Sequence, residues 1–249
     1  MMSRSRKRTW VNKKKKTGST EIVLTYNKRG ETMKNVVITI ARHFGSGGKT
    51  VGKMLSEDLG IGFYEHEIIE MASDDSGIAE ELFNQADEKL KRTPLFFGKS
   101  HSGEYKGKLI APDSDEFVSD HNLFNYQAKI IRELADKESC VIIGRAADYV
   151  LKDYDNVVSV FVHASKDYCV RQAIERSAYT GKDVEKFVER TDKYRSDFYR
   201  YYTGQEWTDA RNYDLCLNSE RLGFEGSMEA IEEYIKVRFG ALPGTKKNQ

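Results

Sequence analysis

The sequence has little cysteine, and it has no long apolar run. Its three cysteines, Cys140, Cys169 and Cys216, are odd in number and lack the spacing of metal ligands, which argues against a disulfide framework or a zinc site. No stretch approaches the roughly 18 consecutive apolar residues that a membrane-spanning helix needs. No apolar segment of a secretion signal follows the basic N-terminus. We therefore expect a cytoplasmic protein with no membrane partner, and we expect Cys140 and Cys216 to be buried in strands.

Proline is equally scarce, and the five histidines show no metal-ligand spacing. Two of the three prolines, Pro94 and Pro112, fall in the segment Thr93–Ser114, which is rich in glycine, lysine and serine. Such a composition predicts a loop or an insert at this place in the chain.

The charge is divided unevenly along the chain, although the formal net charge is only +1. Residues 1–34 hold eleven basic and two acidic residues, while the rest of the chain holds 29 basic and 37 acidic ones. We interpret residues 1–34 as a solvated, disordered tail. A nucleic-acid-binding arm built on Arg4–Arg8 and Lys13–Lys16 is an alternative that we consider unfavoured. A further alternative is that the tail is an artefact of start-site assignment. Arg29–Thr32 is a peptide that a purine-rich bacterial ribosome-binding sequence would encode, and Met33, directly after it, would then be the true start.

From residue 35 onward, short apolar runs alternate with amphipathic segments. The predicted strands are Val36–Ile40, Gly60–Tyr64, Ser139–Ile143, Asn156–Val162 and Tyr213–Leu217. The predicted helices are Thr50–Leu59, Glu65–Ala72, Ile78–Leu90, Asp120–Lys137, Lys166–Thr180 and Asp183–Thr203, followed by a last helix marked by Phe224, Met228, Ile231 and Ile235. Strands that alternate with helices predict an α/β fold with a parallel sheet, whose ligand lies at the carboxyl ends of the strands.

The most informative segment joins the first strand to the first helix and reads A-R-H-F-G-S-G-G-K-T over Ala41–Thr50. Glycines at these positions let the backbone curl so that successive N–H groups point inward, toward a polyphosphate. Lys49 can reach the β and γ phosphates, Thr50 can hold Mg²⁺ through its hydroxyl, and the helix dipole favours the anion. The predicted ATP-phosphate ligands are Gly45, Ser46, Gly47, Gly48, Lys49 and Thr50.

The pattern G-x-x-x-x-G-K-[ST] is met at Gly48–Thr50, but His43 stands where the pattern has its first glycine. An ordinary glycine-rich turn is the alternative, and the flanking strand and helix favour the phosphate loop. We expect His43 to be a hydrogen-bonded turn residue and not a phosphate ligand.

Six segments in a fixed order carry a family resemblance. They are Phe44–Thr50, Leu59–Tyr64, Leu123–Gln127, Val141–Asp148, Arg190–Arg195 with Tyr199–Gly204, and Asn212–Ser219. From about Asn35 to Gly240 the chain resembles the nucleoside monophosphate kinases, and specifically the cytidylate kinase-like group of P-loop proteins. Only the first segment is diagnostic alone, so the order and spacing make the match specific.

The resemblance implies a P-loop NTPase fold of three α/β/α layers, with a five-stranded parallel sheet and a helical lid. It implies a cytidylate kinase-like domain at 35–240, with an insert at about 74–118 and a lid at about 176–211, followed by a flexible C-terminal tail at 241–249. ATP and Mg²⁺ are the implied cofactors, the implied partner is a small-molecule nucleotide, and we expect a monomer.

The resemblance also assigns roles to charged residues around the cleft. Arg145 follows the third strand, so it is expected to grip the acceptor phosphate with a bidentate guanidinium, and Asp148 lies beside it. Asp192 and Arg195 share a helix face and are assigned to the acceptor, while Arg190 is assigned to the transferred phosphoryl group. A surface ion pair for Arg145 and a solvated charged face for the helix are the alternatives.

The predicted catalytic residues are thus Lys49, Arg190 and Arg195. Gln127 is assigned to the base edge of the acceptor by the same resemblance, with simple solvation of a helix surface as the alternative.

Two departures from the family pattern concern base and sugar recognition. Cytidylate kinases carry acidic residues directly before and after the Gly-Arg pair, where this chain has Ile143 and Ala146. The acceptor-side arginine expected before the glutamine is also absent, with Asp120 or His121 in its place. Mg²⁺ is still expected at Thr50, since this ion usually keeps several of its waters.

The function predicted from these residues is ATP-dependent phosphoryl transfer to a nucleoside monophosphate, CMP or dCMP by resemblance. One alternative is a P-loop phosphotransferase that acts on another small acceptor. The other is a nucleotide-binding regulatory protein without catalysis.

Overall fold

The computed structural model describes residues 12–17, 20–25, 35–92, 107–176 and 182–243. In the predicted tail, strand β1 (Asn12–Thr17) pairs antiparallel with β2 (Thr20–Thr25), with Lys16 opposite Glu21. The prediction of disorder is therefore wrong for these twelve positions. The β-branched and aliphatic residues of β2 favour extended pairing. The remainder of the predicted tail lies outside the described residues.

Five parallel strands form the central sheet, as the sequence predicts. They are β3 (Val37–Arg42), β4 (Gly62–Tyr64), β5 (Cys140–Ile143), β6 (Val157–His163) and β7 (Leu215–Asn218), in the order β4-β5-β3-β6-β7. The register sets Ile40 opposite Ile143 of β5 and Val160 of β6. The carboxyl ends of β4, β5 and β3 consequently lie side by side.

Eight helices are described. They are α1 (Gly48–Leu59), α2 (Glu67–Ser76), α3 (Glu80–Arg92), α4 (Asp120–Lys137), α5 (Ala147–Val150), α6 (Lys166–Arg176), α7 (Lys182–Thr203) and α8 (Ser219–Phe239), with a 3₁₀ turn at Ala210–Asn212. Helix α4 begins where the Ser119 hydroxyl accepts the N–H of Asn122, and α8 is kinked at Gly223. Helix α5 was not predicted, because a four-residue helix shows no periodicity.

Side chains that alternate along β3 divide the core into two layers. Val37 and Ala41 pack with the helices α2, α4 and α5, while Ile38 and Ile40 pack on the other face with α1 and α8. Both faces of the sheet are covered, which explains the unbroken apolar runs of its strands. The three-layer α/β/α prediction is confirmed. In the described part of the chain, no helix combines the length and apolar content needed to cross a membrane.

Some predictions about the margins of the domain need correction. Cys140 is buried in β5, but Cys216 is exposed because β7 is an edge strand. In the predicted C-terminal tail, Leu242 is partly buried against the α1/α8 layer, and residues 244–249 lie outside the described residues. Residues 93–106 of the predicted insert and residues 177–181 of the predicted lid also lie outside them.

Candidate active site

The glycine-rich loop between β3 and α1 has a backbone that only glycine fits at two positions. Gly45 and Gly47 have φ of 80° and 81°, in the left-handed region. A Cβ atom at Gly45 would lie 2.3 Å from the carbonyl oxygen of Cys169, and one at Gly47 would lie 2.2 Å from the ring of Phe224. The loop leads directly into α1 at Gly48, so the helix N-terminus, which favours anions, lies at the loop.

Buried hydroxyl groups fix the loop from behind. The Ser46 hydroxyl lies 2.9 Å from the carbonyl oxygen of His43 and 3.1 Å from that of Val162. The Ser219 hydroxyl, at the start of α8, donates to the carbonyl oxygen of Ser46 at 2.6 Å. Both serines are fully buried. The Ser46 side chain therefore supports the loop and leaves phosphate contacts to backbone groups. The sequence had not indicated a role for Ser219.

His43 is a neutral packing residue at the start of the loop. Its ring packs edge-on against Phe161 and Trp207, at 5.2 and 5.5 Å between ring centroids. Burial, with His163 and Arg195 nearby, lowers the pKa of His43 to about 4. The expectation that His43 belongs to the turn fits this environment.

Three charged side chains meet where β3 and β4 end. The Lys49 Nζ atom lies 2.5 Å from Glu65 Oε2, and Arg42 Nη2 lies 3.0 Å from Glu65 Oε1. Burial and repulsion by Arg195 lower the pKa of Arg42 to about 9, against the opposing pull of Glu65. The guanidinium is thus still protonated at neutral pH. Gly144 has a φ of 72°, in the left-handed region that favours glycine, and a Cβ atom there would also displace the Arg42 guanidinium.

A cleft of about 1010 Å³ opens over these strand ends, between the sheet and α7. Its basic lining residues are Arg42, Arg145, Arg190, Lys193 and Arg195, its acidic ones are Glu65, Asp148 and Asp197, and its aromatic ones are Phe187, Tyr194, Phe198, Tyr199 and Trp207. The structure therefore brings together four of the candidate residues, Arg145, Asp148, Arg190 and Arg195. Lys49 is connected to the cleft by its contact with the lining residue Glu65. Gln127 and Asp192 are not among the lining residues.

The turn after β5 has an unusual backbone at the floor of the cleft. Arg145 and Ala146 follow Gly144 with φ of 58° and 50°, a left-handed conformation that costs a non-glycine residue about 1–2 kcal/mol. This turn places both residues in the lining of the cleft. Local strain of this kind is concentrated at functional sites, which supports the assignment of Arg145 to a ligand.

Asp148 and Tyr199 form a buried pair at the inner end of the cleft. The Tyr199 hydroxyl donates to Asp148 Oδ2 at 2.6 Å. Burial raises the pKa of Asp148 to about 6, although the hydrogen bond from Tyr199 lowers it in part. The hydrogen bond from the tyrosine thus fixes the orientation of a carboxyl group in the lining of the cleft.

Asp192 and Arg195 attach α7 to the beginning of the glycine-rich loop. Asp192 Oδ1 accepts the backbone N–H of Phe44 at 2.7 Å, and Arg195 Nη1 donates to the carbonyl oxygen of Arg42 at 3.0 Å. The two side chains lie 3.6 Å apart and Arg195 also lies over the Phe44 ring. The predicted shared face of this pair is present. Asp192, however, contacts the loop and not the cleft, which differs from its predicted place at the acceptor.

Gln127 is also displaced from its predicted place. It is 3% exposed on α4, and its buried Oε1 has no hydrogen-bond partner within the described part of the protein. Gln127 thus lies neither in the lining of the cleft, where it could contact a base, nor on a solvated surface of the helix.

The attachment of α7 gives a test of the role of Asp192. Asp192→Ala is expected to raise the Michaelis constant for ATP about tenfold, because it removes a charge-assisted hydrogen bond to the loop, and to change that for the acceptor less. Asp192→Asn keeps an oxygen acceptor for the Phe44 N–H, so it should stay closer to wild type. Steady-state kinetics with each substrate varied in turn measure both constants. A selective rise for the acceptor would restore the role predicted from the sequence.

The parallel sheet, the loop that ends in Lys49 and Thr50, and the helix that begins there define the fold of a P-loop kinase. The model of the cytidylate kinase-like family matches residues 37–221, which is most of the chain. The chain belongs to this family, and the family and the fold together support a P-loop kinase.

Solved structures with related folds include one of an uncharacterized protein from Eubacterium ventriosum ATCC 27560. It is 26% identical with a TM-score of 0.58, over 81% of this chain and 99% of that one. Shikimate kinase from Bacteroides thetaiotaomicron is 13% identical with a TM-score of 0.45, over 81% and 98% of the two chains. A gluconokinase from Sinorhizobium meliloti 1021 is 13% identical with a TM-score of 0.44, over 82% and 98%. A comparison with curated proteins gives no match.

Proposed function

We propose that this protein transfers the γ-phosphoryl group of ATP to a nucleoside monophosphate, with CMP or dCMP as the acceptor that the family resemblance favours. The observation that carries the proposal is the cleft beside the glycine-rich loop, which is lined by four arginines. A guanidinium is suited to bidentate contact with phosphate oxygens, so this lining fits an acceptor that itself carries phosphate.

The donor binds at the loop. The N-terminus of α1 and the backbone of the loop receive the ATP phosphates, and Lys49 leaves Glu65 to reach the β and γ phosphates. The hydrogen bonds that Ser219, Asp192 and Arg195 make to the loop and to the end of β3 keep these groups in place before ATP arrives. Such preorganisation contributes most of the catalysis in phosphoryl transfer.

The acceptor lies on the other side of the transferred group. Arg145 at the floor of the cleft binds the acceptor phosphate, and the aromatic lining from Tyr194 and Phe198 of α7 and from Trp207 gives the base an apolar wall. The Asp148–Tyr199 pair is placed to contact a polar edge of the base or the sugar. Arg190, exposed in the N-terminal half of α7, approaches the moving phosphoryl group when the cleft closes over the two substrates.

Mg²⁺ fits the donors of this site. The described residues contain no cluster of three or more His, Cys, Asp or Glu side chains suited to a metal, and Mg²⁺ is usually held by few protein oxygens together with phosphates and water. Thr50 supplies one such oxygen at the start of α1. When bound, the ion neutralises charge on the β and γ phosphates.

A second candidate function is phosphorylation of another small acceptor. It is favoured by Ile143 and Ala146, which are buried at the floor of the cleft where cytidylate kinases have acidic residues. Without those carboxylates the sugar and base of CMP have fewer polar partners, and Asp148 is left to make such contacts.

A panel of acceptors separates the candidates. The full chain is incubated with ATP, Mg²⁺ and, in turn, each ribo- and deoxyribonucleoside monophosphate or a set of hydroxyl acceptors, and ADP release is measured with Lys49→Ala as the blank. We expect CMP or dCMP to give the highest kcat/KM. Transfer to a hydroxyl acceptor alone would favour the second function. ATP binding without transfer to any acceptor would favour a regulatory protein.

A further inference from the structure

We propose that Glu65 is the protein carboxylate that holds the magnesium ion of the bound nucleotide, and that it exchanges this ion for the ammonium of Lys49 when the nucleotide leaves. The inference rests on the proposed ATP site. It concerns a residue that neither the glycine-rich pattern nor the family resemblance identifies.

Glu65 lies between two cations of different mobility. Its Oε1 lies 3.0 Å from the guanidinium of Arg42, whose side chain is only 16% exposed, and its Oε2 lies 2.5 Å from Lys49, whose side chain is 62% exposed. Arg42 is fixed by the packing around Gly48 and Gly144. The ammonium group of Lys49 is carried on a long, solvated side chain that can turn toward a phosphate.

Binding of ATP changes the charge around Glu65. Once Lys49 contacts the β and γ phosphates, Glu65 Oε2 loses its cation and lies near a polyanion. Two like charges at such short range repel each other unless a cation lies between them. A divalent ion at that point neutralises the repulsion and uses a hard oxygen donor, which Mg²⁺ prefers. Arg42 meanwhile keeps Glu65 oriented through its other oxygen.

The other carboxylates in the described lining of the cleft are paired with groups other than the lysine of the loop. Asp148 is buried and accepts the hydroxyl of Tyr199, and Asp197 pairs with Lys193 one turn away on α7. The positions beside the Gly-Arg pair, Ile143 and Ala146, carry no oxygen donor in their side chains. Glu65 is the acidic lining residue that contacts the lysine of the loop, which directly precedes Thr50.

The exchange predicts effects of opposite sign on nucleotide affinity. The probe is ADP, titrated calorimetrically into the full chain with Mg²⁺ and, separately, with EDTA. In wild type, Mg²⁺ should tighten ADP binding. In Glu65→Gln, which can still accept from Arg42, the gain from Mg²⁺ should fall by roughly 10–100-fold, the usual effect of losing a group that supports a bound metal. In EDTA the same variant should bind ADP as tightly as wild type or more tightly, because Lys49 no longer has to leave a carboxylate.

Two further variants and a second readout sharpen the test. Glu65→Asp should recover part of the Mg²⁺ dependence, and Asp197→Asn, which removes another carboxylate from the same cleft, should retain all of it. Electron paramagnetic resonance of Mn²⁺ in the ADP complex should show weaker binding of the ion in Glu65→Gln only. Circular dichroism checks that each variant is folded.

The outcomes separate this inference from the proposed function. Wild type that binds ADP with a Mg²⁺ dependence unchanged by Glu65→Gln would overturn the role of Glu65 and leave the ATP site standing. Equal weakening of ADP binding with and without Mg²⁺ would assign Glu65 to the shape of the loop and overturn the inference as well. Wild type with no affinity for ADP would overturn the proposed function together with it.

Discussion

Lys49→Ala is expected to lower the rate of phosphoryl transfer by roughly 100-fold or more, with the fold intact. Removal of one preorganised charge that acts on the transferred group has this magnitude in other enzymes. The side chain of Lys49 is 62% exposed and its ion pair with Glu65 is at the mouth of the cleft, so the core loses no packing. The measurement is kcat with saturating ATP and acceptor, together with the melting temperature.

The matched control for this prediction lies one turn further along α1. The Lys53 side chain is 65% exposed and pairs with Glu57 at 3.8 Å, on the same helix but away from the loop. Lys53→Ala removes the same charge and the same number of atoms, so it should leave kcat unchanged. Activity of Lys49→Ala within about threefold of the control would refute the phosphate-binding role of the loop.

The parts of the site that the sequence predicts are those in which neighbours in the chain are also neighbours in space. The loop from Gly45 to Thr50 is one such part, because its φ angles and its helix N-terminus follow from adjacent residues. Arg145 is another, since it directly follows a strand whose end must lie at the ligand side of a parallel sheet. Unbroken apolar runs sufficed for the strands, because both faces of the sheet are covered, and helical periodicity sufficed for the long helices.

The parts that the sequence does not predict depend on contacts between distant segments. Arg42 ends one strand and Glu65 follows another, but their meeting with Lys49 depends on the strand order, in which β5 separates β3 from β4. The partner of Asp192 is the N–H of Phe44, about 150 positions earlier in the chain. A hydrogen bond to a backbone group cannot be recognised from the pattern of side chains in the sequence. The spacing of Asp192 and Arg195 therefore indicated their shared face, but it did not indicate the contact of Asp192 with the loop.

Gln127 illustrates a different limit. The periodicity of α4 identifies Leu123, Ile131 and Leu134 as a buried face, and all three are buried. A glutamine among such residues predicts a polar group near the surface of the helix. In the structure α2 and α3 also pack against α4, so nearly the whole circumference of the helix is covered. Burial by a second neighbour cannot be deduced from the helix's own pattern.

Arg190→Ala is expected to lower kcat by about 100-fold while the Michaelis constants for ATP and acceptor change little. In the structure Arg190 is exposed, lines the cleft and donates from Nε to the carbonyl oxygen of Lys186 on its own helix. We expect a side chain that is turned toward its own helix to contribute little to the binding of either substrate. Its contribution arises when negative charge is spread over the moving phosphoryl group, and an interaction made only in the transition state changes kcat.

The control for Arg190 is Lys186→Ala, which removes an exposed cation one turn earlier on α7 and leaves the carbonyl oxygen that Arg190 contacts. This variant should keep the wild-type kcat, because Lys186 is not among the lining residues of the cleft. Arg190→Lys should recover only part of the rate, because a compact ammonium group replaces a planar guanidinium that can donate two hydrogen bonds to one phosphate. If Arg190→Ala instead raised the Michaelis constant for the acceptor at constant kcat, Arg190 would bind the ground state, and stabilisation of the transferred group would then depend on Lys49.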